Sequence, residues 1–157
     1  MNRFRKRGQR ITVKPREQRT YNGVLYASKA ESIRAQELDL LIRSGDVKFW
    51  IGQPLFRLGC AENTYRLDFL VVGFAGGIAD GIADQDEPYA FSCPWVEDVK
   101  GFETQSFKRH KRLWKAYGPC ELRILKRKGS GWTTEIVSPA EADAQGGEHD
   151  NKEGHPL

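Results

Sequence analysis

The chain has 157 residues, of which 39% are hydrophobic and 29% charged, and its formal net charge is +4. This length and composition predict one globular domain with its own core. No apolar run approaches the roughly 18 residues of a transmembrane helix, and no apolar segment follows the basic N-terminus as a secretory signal requires. We therefore expect a cytoplasmic protein rather than a membrane or secreted one.

The charges are unevenly distributed along the chain. Residues 1–20 are predicted to form a basic flexible arm, which includes Arg5, Lys6 and Arg7. Residues 139–157 are acidic and poor in apolar side chains, which predicts a disordered tail after a domain at 21–138. Basic clusters on a balanced domain favour a nucleic-acid partner, although solvation alone also explains scattered surface charge.

The first predicted element is a helix from Ser28 to Arg43. Ser28 is a suitable N-cap residue, Glu31 completes a capping-box pattern, and Gly45 follows the C-terminal end. This capping role accounts for Glu31 without any function, so two interpretations of that acid stay open.

Strand-like runs and a second helix follow. The runs are Gln53–Leu58 with a further short run before it at Val47–Ile51, Tyr65–Val72, Tyr89–Lys100 interrupted at Pro94, Glu121–Lys126, and an edge strand at Trp132–Val137. The glycine-rich stretch Gly73–Pro88 is interpreted as an exposed loop or flap. The order α-β-β-β-α-β predicts an α/β fold, with a mixed central sheet flanked by helices.

The second helix, about Thr104–Tyr117, has two distinct sides. The apolar side is predicted to pack in the core, and His110 on that side is interpreted as a packing residue; its members are Phe107, His110, Leu113, Trp114 and Tyr117. The opposite side is basic and is expected to contact phosphates; its members are Lys108, Lys111, Arg112 and Lys115.

Two strand acids carry the functional hypothesis. Alternation places Asp98 and Lys100 on one face of their strand and Glu97 on the other, where it is expected to be structural. Asp68 interrupts an apolar run whose alternate residues are predicted to share the opposite face: Tyr65, Leu67, Phe69 and Val71. If the strands are neighbours, Asp68 and Asp98 meet across the sheet.

Two converging carboxylates repel each other unless a cation lies between them. Hard oxygen ligands suit Mg²⁺ or Mn²⁺, which keeps several waters and accepts substrate phosphate as a further ligand. Such a metal acidifies a bound water, and a neighbouring lysine stabilises the developing negative charge. Asp68, Asp98 and Lys100 are therefore a suitable set for phosphodiester hydrolysis.

The pattern Leu67-Asp68 followed by Asp98-Val99-Lys100 resembles the signature of the PD-(D/E)xK nuclease superfamily. Together with the Ser28–Glu31 helix start and Gln53-Pro54, it resembles a group of small phage-encoded nucleases, close to Holliday-junction resolvases. The resemblance implies a restriction-endonuclease-like core. It also implies a Mg²⁺- or Mn²⁺-dependent DNA endonuclease, acting in the host cytoplasm on branched DNA during recombination, repair or DNA processing. Because two strands must be cut, it further implies a homodimer.

The same resemblance assigns roles to individual residues. It implies that Asp68, Asp98 and the Val99 carbonyl bind the metal and that Lys100 is the catalytic lysine. Glu31 is an additional metal ligand, directly or through water, and Gln53 is a candidate substrate contact. The usual proline is Leu67 here, and the second acid is Asp98 rather than Glu.

Three alternatives remain beside this hypothesis. One is a nucleic-acid-binding module with the same fold and no catalysis. Another is an RNA-processing nuclease with the same site. The third, an RNA-associated basic protein without an active site, leaves Asp68 and Asp98 unexplained.

Overall fold

The protein has a mixed α/β architecture, as residues 13–73 and 94–140, which the computed structural model describes, show. A 3₁₀ helix at Arg16–Arg19 precedes the regular elements. These are β1 (Thr20–Tyr21), β2 (Val24–Leu25), α1 (Lys29–Ser44), β3 (Val47–Gly52), β4 (Leu55–Arg57), β5 (Thr64–Arg66), β6 (Phe69–Gly73), β7 (Trp95–Val99), α2 (Gln105–Tyr117), β8 (Glu121–Lys128) and β9 (Gly131–Val137).

A five-stranded sheet in the order β3-β6-β7-β8-β9 forms the centre of the fold. Its one parallel pair is β7 with β8, and the neighbouring strands otherwise run antiparallel. A parallel pair needs a long crossover connection, which α2 provides here. The pairs β1–β2 and β4–β5 form two small separate sheets. The predicted mixed central sheet flanked by helices is confirmed.

The two helices cover opposite faces of this sheet. Ala35 and Leu38 of α1 pack in a core cluster with Val99 of β7. Phe107 and Trp114 of α2 pack in a second cluster, which includes Val96 of the same strand. Because side chains alternate along a strand, odd-numbered residues of β7 face α1 and even-numbered ones face α2.

Local capping interactions fix where the helices begin and end. Ser28 Oγ accepts a hydrogen bond from the Glu31 backbone N–H at 3.1 Å, and Gly45 ends α1 with φ of 86°. Thr104 Oγ1 caps α2 in the same way by accepting from the Phe107 N–H at 3.1 Å. The predicted α1 boundaries are therefore confirmed to within one residue.

The predicted strand Tyr65–Val72 is divided into β5 and β6. At the break, the Leu67 N–H still donates to the Pro54 carbonyl, at 3.0 Å, whereas the next residue, Asp68, already pairs with β7 of the central sheet. Leu67 then packs on the α2 side of the sheet and Phe69 on the α1 side. The prediction that both residues share a face is wrong, because alternation does not continue through the break.

Two further predictions need correction. The run Gln53–Leu58 contributes only β4, which pairs with β5 outside the central sheet, whereas the optional short run at 47–51 forms the sheet's edge strand β3. Tyr117 is 58% exposed rather than buried, because in the last turn of α2 its ring lies over the backbone of Gly59 on the surface.

The predicted arm and loop fall largely outside the described residues. Residues 1–12, 74–93 and 141–157 are not described, so Arg5, Lys6, Arg7, most of the Gly73–Pro88 stretch and most of the tail cannot be placed. Residues 16–20 of the predicted arm form the 3₁₀ helix and the start of β1, and Arg19 donates to the Tyr26 carbonyl at 2.7 Å. Among the described residues, no helix is long and apolar enough to cross a membrane.

Candidate active site

Asp68, one residue before β6, lies beside Asp98 of the neighbouring strand β7. β6 pairs with β7 in a register that sets Phe69 opposite Glu97. The Asp68 N–H donates to the Glu97 carbonyl at 3.1 Å, and Asp68 Oδ2 accepts from the Val99 N–H at 2.6 Å. The strand adjacency on which the sequence hypothesis depended is therefore present, and one Asp68 oxygen is fixed by the backbone of β7.

Asp98 is a fully buried carboxylate with two different neighbours. Its Oδ2 accepts a hydrogen bond from the hydroxyl of Tyr65. Its Oδ1 lies 2.8 Å from the Lys100 ammonium, yet receives no hydrogen bond within the described part of the chain. The Lys100 contact is therefore electrostatic rather than directional, and Oδ1 keeps capacity for a further ligand.

Glu31 brings a third acid to the same end of β7. Its residue is buried, and its Oε2 accepts from the Ala27 N–H at 3.1 Å at the start of α1. Burial raises the pKa of Glu31, as does the nearby charge of Asp98, while Lys100 lowers it. Glu31 is thus close enough to interact electrostatically with both residues, in addition to its place at the helix cap.

The charge balance of the cluster appears most clearly at Asp68. Burial first, and then the charges of Asp98 and Glu31, raise the pKa of Asp68 from its ordinary 3.8 to about 8. The Val99 N–H and the Lys100 ammonium oppose that shift. Three carboxylates therefore share insufficient positive charge, which is the condition that a bound cation relieves.

Glu97 occupies the opposite face of β7, as alternation predicts. It is fully buried and forms two 2.7 Å contacts with the Arg34 guanidinium of α1. Trp95 Nε1 donates to it at 2.9 Å. Glu37, a further acid of α1, contacts Arg34 and Trp132 Nε1. Both acids therefore belong to a network that joins α1 to the sheet.

The residues present fit a cation held by one or two carboxylates. Within the described ranges, no group of three or more His, Cys, Asp or Glu side chains is placed to hold a metal ion by itself. Mg²⁺ does not require such a cage, since it keeps several waters and completes its shell with substrate phosphate. Asp98 Oδ1, together with the Asp68 oxygen not held by Val99, offers hard ligands of the right kind.

A cleft of about 630 Å³ opens beside this cluster. Glu31, Tyr65 and Lys100 line it, whereas Asp68 and Asp98 do not, so the cleft meets the cluster through Lys100 and Glu31. Its other walls come from the loop after β7, the start of α2, and β5 and β8. A substrate in the cleft would therefore lie against Lys100, whose side chain is 30% exposed.

His110 lines the cleft and stacks on Tyr65, with ring centroids 4.4 Å apart. Burial and the neighbouring Arg109 lower the pKa of His110, which favours the neutral imidazole. Burial and Asp98 raise the pKa of Tyr65, so its hydroxyl stays a donor. Tyr65, with His110 stacked on it, therefore holds the Asp98 carboxylate from the α2 side.

The basic side of α2 is largely available to solvent. Lys108, Arg112 and Lys115 are exposed, whereas Lys111 is half-buried and paired with Glu135 at 2.6 Å. Gln53 is exposed, and its side chain does not line the cleft. Its backbone N–H donates to the Asp68 carbonyl at 2.8 Å, with φ of 53°, so Gln53 supports the Asp68 peptide.

Sequence reasoning did not find Tyr65 as a partner of Asp98. Strict alternation assigns Tyr65 and Asp68 to opposite faces, and the break at Leu67 removes that relation. The sequence feature that could have pointed to Tyr65 is its position three residues before the candidate metal ligand Asp68. No sequence motif predicted the other cations that line the cleft, which are Arg66, Lys126 and Arg127.

Comparisons with protein-family models, with curated proteins and with solved structures find no match for this chain.

Proposed function

We propose that the protein is a Mg²⁺- or Mn²⁺-dependent DNA endonuclease of the PD-(D/E)xK type, with a restriction-endonuclease-like core. The observation that carries this proposal is the convergence of Asp68, Asp98 and Lys100 at the open end of β7. A carboxylate pair short of positive charge, beside a lysine that lines an open cleft, suits metal-assisted phosphodiester hydrolysis.

Each residue of the cluster has a distinct part in this mechanism. Asp98 and Asp68 would hold the metal, with the Val99 carbonyl as a further ligand implied by the resemblance. When bound, a divalent cation supplies an acidified water and neutralises charge on the phosphate. Lys100, at the cleft, orients that water or stabilises the phosphate oxygens, and no covalent enzyme intermediate is formed.

Supporting groups keep the ligands in place. The Val99 N–H orients Asp68, and the Tyr65 hydroxyl orients Asp98. Glu31, whose pKa burial raises above its ordinary value, would accept the proton released by the water or hold a metal-bound water. The exposed lysines and arginine of α2 contact the DNA backbone outside the cleft.

Cleavage assays test the proposal directly. The purified protein is incubated with four-way junction, flap, duplex and single-stranded DNA, and with the matching RNA, with and without Mn²⁺. In these assays we expect a dimeric enzyme that cleaves branched DNA only when the metal is present. In the cell, this activity would take place in the cytoplasm of a phage-infected host. Because water is the nucleophile, no DNA product should be covalently attached to the enzyme.

Variants separate catalysis from contamination. Asp98→Asn and Lys100→Met should lower the cleavage rate by at least roughly 100-fold, the scale of lost metal ligation or transition-state stabilisation. Asp46→Asn removes one exposed acid of the loop after α1 and serves as the matched control, with unchanged activity. Equal cleavage by Asp98→Asn and the wild type would refute the proposed site, and preferential RNA cleavage would reassign the substrate.

A further inference from the structure

The walls of the cleft extend well beyond the acid cluster. They carry four cationic side chains and one acid, Glu31; the cations are Arg66, Lys100, Lys126 and Arg127. The volume of about 630 Å³ is larger than a metal and a phosphate require. The lining therefore suggests a ligand that combines negative charge with additional bulk.

Aromatic rings supply the second part of that lining. Phe102, two residues after Lys100, is 57% exposed to solvent and lines the cleft. Among the large hydrophobic side chains exposed in the described ranges, it is the one that does so. An exposed ring beside cations and a phosphate site is the combination that proteins use to stack single nucleobases.

The backbone around Phe102 is fixed at both ends. The Lys100 N–H donates to the Leu125 carbonyl at 2.8 Å, and Thr104 caps α2. Between them, Glu103 pairs with Lys126 at 2.8 Å. The ring is therefore held on a short anchored connection, so little conformational entropy is lost when a base stacks on it.

We propose that the cleft binds one unpaired nucleotide next to the phosphate to be cut, with its base stacked on Phe102. This inference rests on the proposed nuclease function, and it defines the substrate as DNA with an unpaired nucleotide at the cut site. A base inside a continuous duplex is stacked on both sides, so it cannot offer a face to Phe102 unless it leaves the helix. Arg66 attracts the flanking phosphate, and Arg127, whose guanidinium pairs with Glu37 at 3.2 Å, adds a smaller attraction.

DNA binding, measured by fluorescence anisotropy with Ca²⁺ replacing Mg²⁺, tests this subsite without relying on cleavage. Two labelled DNAs are compared: a continuous duplex and the same duplex with a short single-stranded gap. Wild-type protein should bind the gapped DNA more tightly. Phe102→Ala should lose roughly fivefold to 150-fold on the gapped DNA, as expected for one stacked base, and less than about twofold on the duplex, which offers no free base. Phe102→Trp should retain the preference.

A second signal and a matched control complete the design. 2-Aminopurine at the unpaired position should lose fluorescence on binding wild-type protein and not on binding Phe102→Ala. Phe49→Ala removes another exposed phenylalanine, 42% exposed and away from the cleft, and should bind both DNAs like the wild type.

The outcomes distinguish the subsite from the nuclease proposal. Equal binding of both DNAs by the wild type, or an equal loss on both in Phe102→Ala, overturns the subsite even if metal-dependent cleavage is observed. A Phe102-dependent preference for the gap in a protein that cuts no DNA supports the subsite and refutes the nuclease.

Discussion

The ammonium nitrogen of Lys100 lies 2.8 Å from Oδ1 of the fully buried Asp98. That oxygen receives no hydrogen bond from the residues that the structure describes, whereas Oδ2 is held by Tyr65. Oδ1 is thus the Asp98 oxygen that can still bind a cation, and the Lys100 ammonium lies next to it. A cation that binds Oδ1 requires the ammonium to move toward the cleft, so lysine and metal compete for one oxygen.

Lys100→Met is therefore expected to bind Mn²⁺ more tightly while losing cleavage activity. Removing a positive charge 2.8 Å from the ligand atom eliminates both competition and repulsion of the cation. Isothermal titration calorimetry without DNA, at pH 8.5, should show an affinity increase of roughly tenfold, equivalent to about 1.4 kcal/mol.

Lys126→Met is the matched control for this charge change. Lys126 also lines the cleft, but its ammonium pairs with Glu103. Its removal should change Mn²⁺ affinity less than about twofold, since a partly exposed pair contributes little to the field at Asp98. If both variants bind Mn²⁺ like the wild type, Lys100 does not compete with the metal.

The metal-free protein should lose stability as the pH rises from about 4 to about 8. Burial first, and then Asp98 and Glu31, raise the pKa of Asp68 from 3.8 to about 8 in the folded state. Between these values the folded chain keeps a proton that the unfolded chain releases, so proton release favours unfolding. The destabilisation is complete above the folded pKa and absent below the unfolded one.

Asp68→Asn should remove this part of the pH dependence. Asparagine can still accept the Val99 hydrogen bond, so the variant should melt higher than the wild type at pH 9 by roughly 2–8 °C, the shift that 1–2 kcal/mol causes in a domain of this size. Thermal melts at pH 5, 7 and 9 measure it, with the exposed Asp46→Asn as control. Added Mn²⁺ at pH 9 should stabilise the wild type. Parallel melting curves for all three proteins would contradict the raised pKa.

Sequence patterns were sufficient where local rules govern the structure. Ser28 and Gly45 marked the ends of α1, and alternation correctly assigned Asp98 and Glu97 to opposite faces of β7. These features depend on caps and on the two-residue period of a strand, both of which are written in neighbouring residues.

The rest depended on contacts between distant segments. No glycine or proline marks the break at Leu67, which arises because the Leu67 N–H pairs with Pro54 while Asp68 pairs with β7. Its consequence, the approach of Tyr65 to Asp98, therefore could not be read from the apolar pattern. Likewise, Tyr117 is exposed because the last turn of α2, in which it lies, extends beyond the core, although its helical face is the apolar one.

Substitutions of Glu97 and Glu31 should have different effects, the first mainly on stability and the second mainly on activity. Glu97→Gln removes the charge from a fully buried carboxylate paired with Arg34, and loss of one partner of such a pair costs about 3–5 kcal/mol. Glu31→Gln keeps an oxygen for the Ala27 N–H and should cost much less stability, while lowering metal-dependent cleavage more than tenfold. Urea unfolding and single-turnover cleavage below the melting temperature measure the two effects. The reverse ranking would show that Glu97 serves the chemistry and Glu31 only the cap.

Tyr65→Phe should weaken the positioning of Asp98 without removing any charge. The phenylalanine ring preserves the stacking on His110, so the change isolates the hydrogen bond to Oδ2. Loss of a hydrogen bond to a buried charged group costs about 1.5–3 kcal/mol, which urea unfolding will detect. The Mn²⁺ concentration for half-maximal cleavage should also rise, because the carboxylate is free to rotate away from the ligand geometry. Tyr117→Phe, at an exposed tyrosine, should change neither quantity. A stability loss in Tyr65→Phe with an unchanged Mn²⁺ requirement would restrict Tyr65 to a structural role.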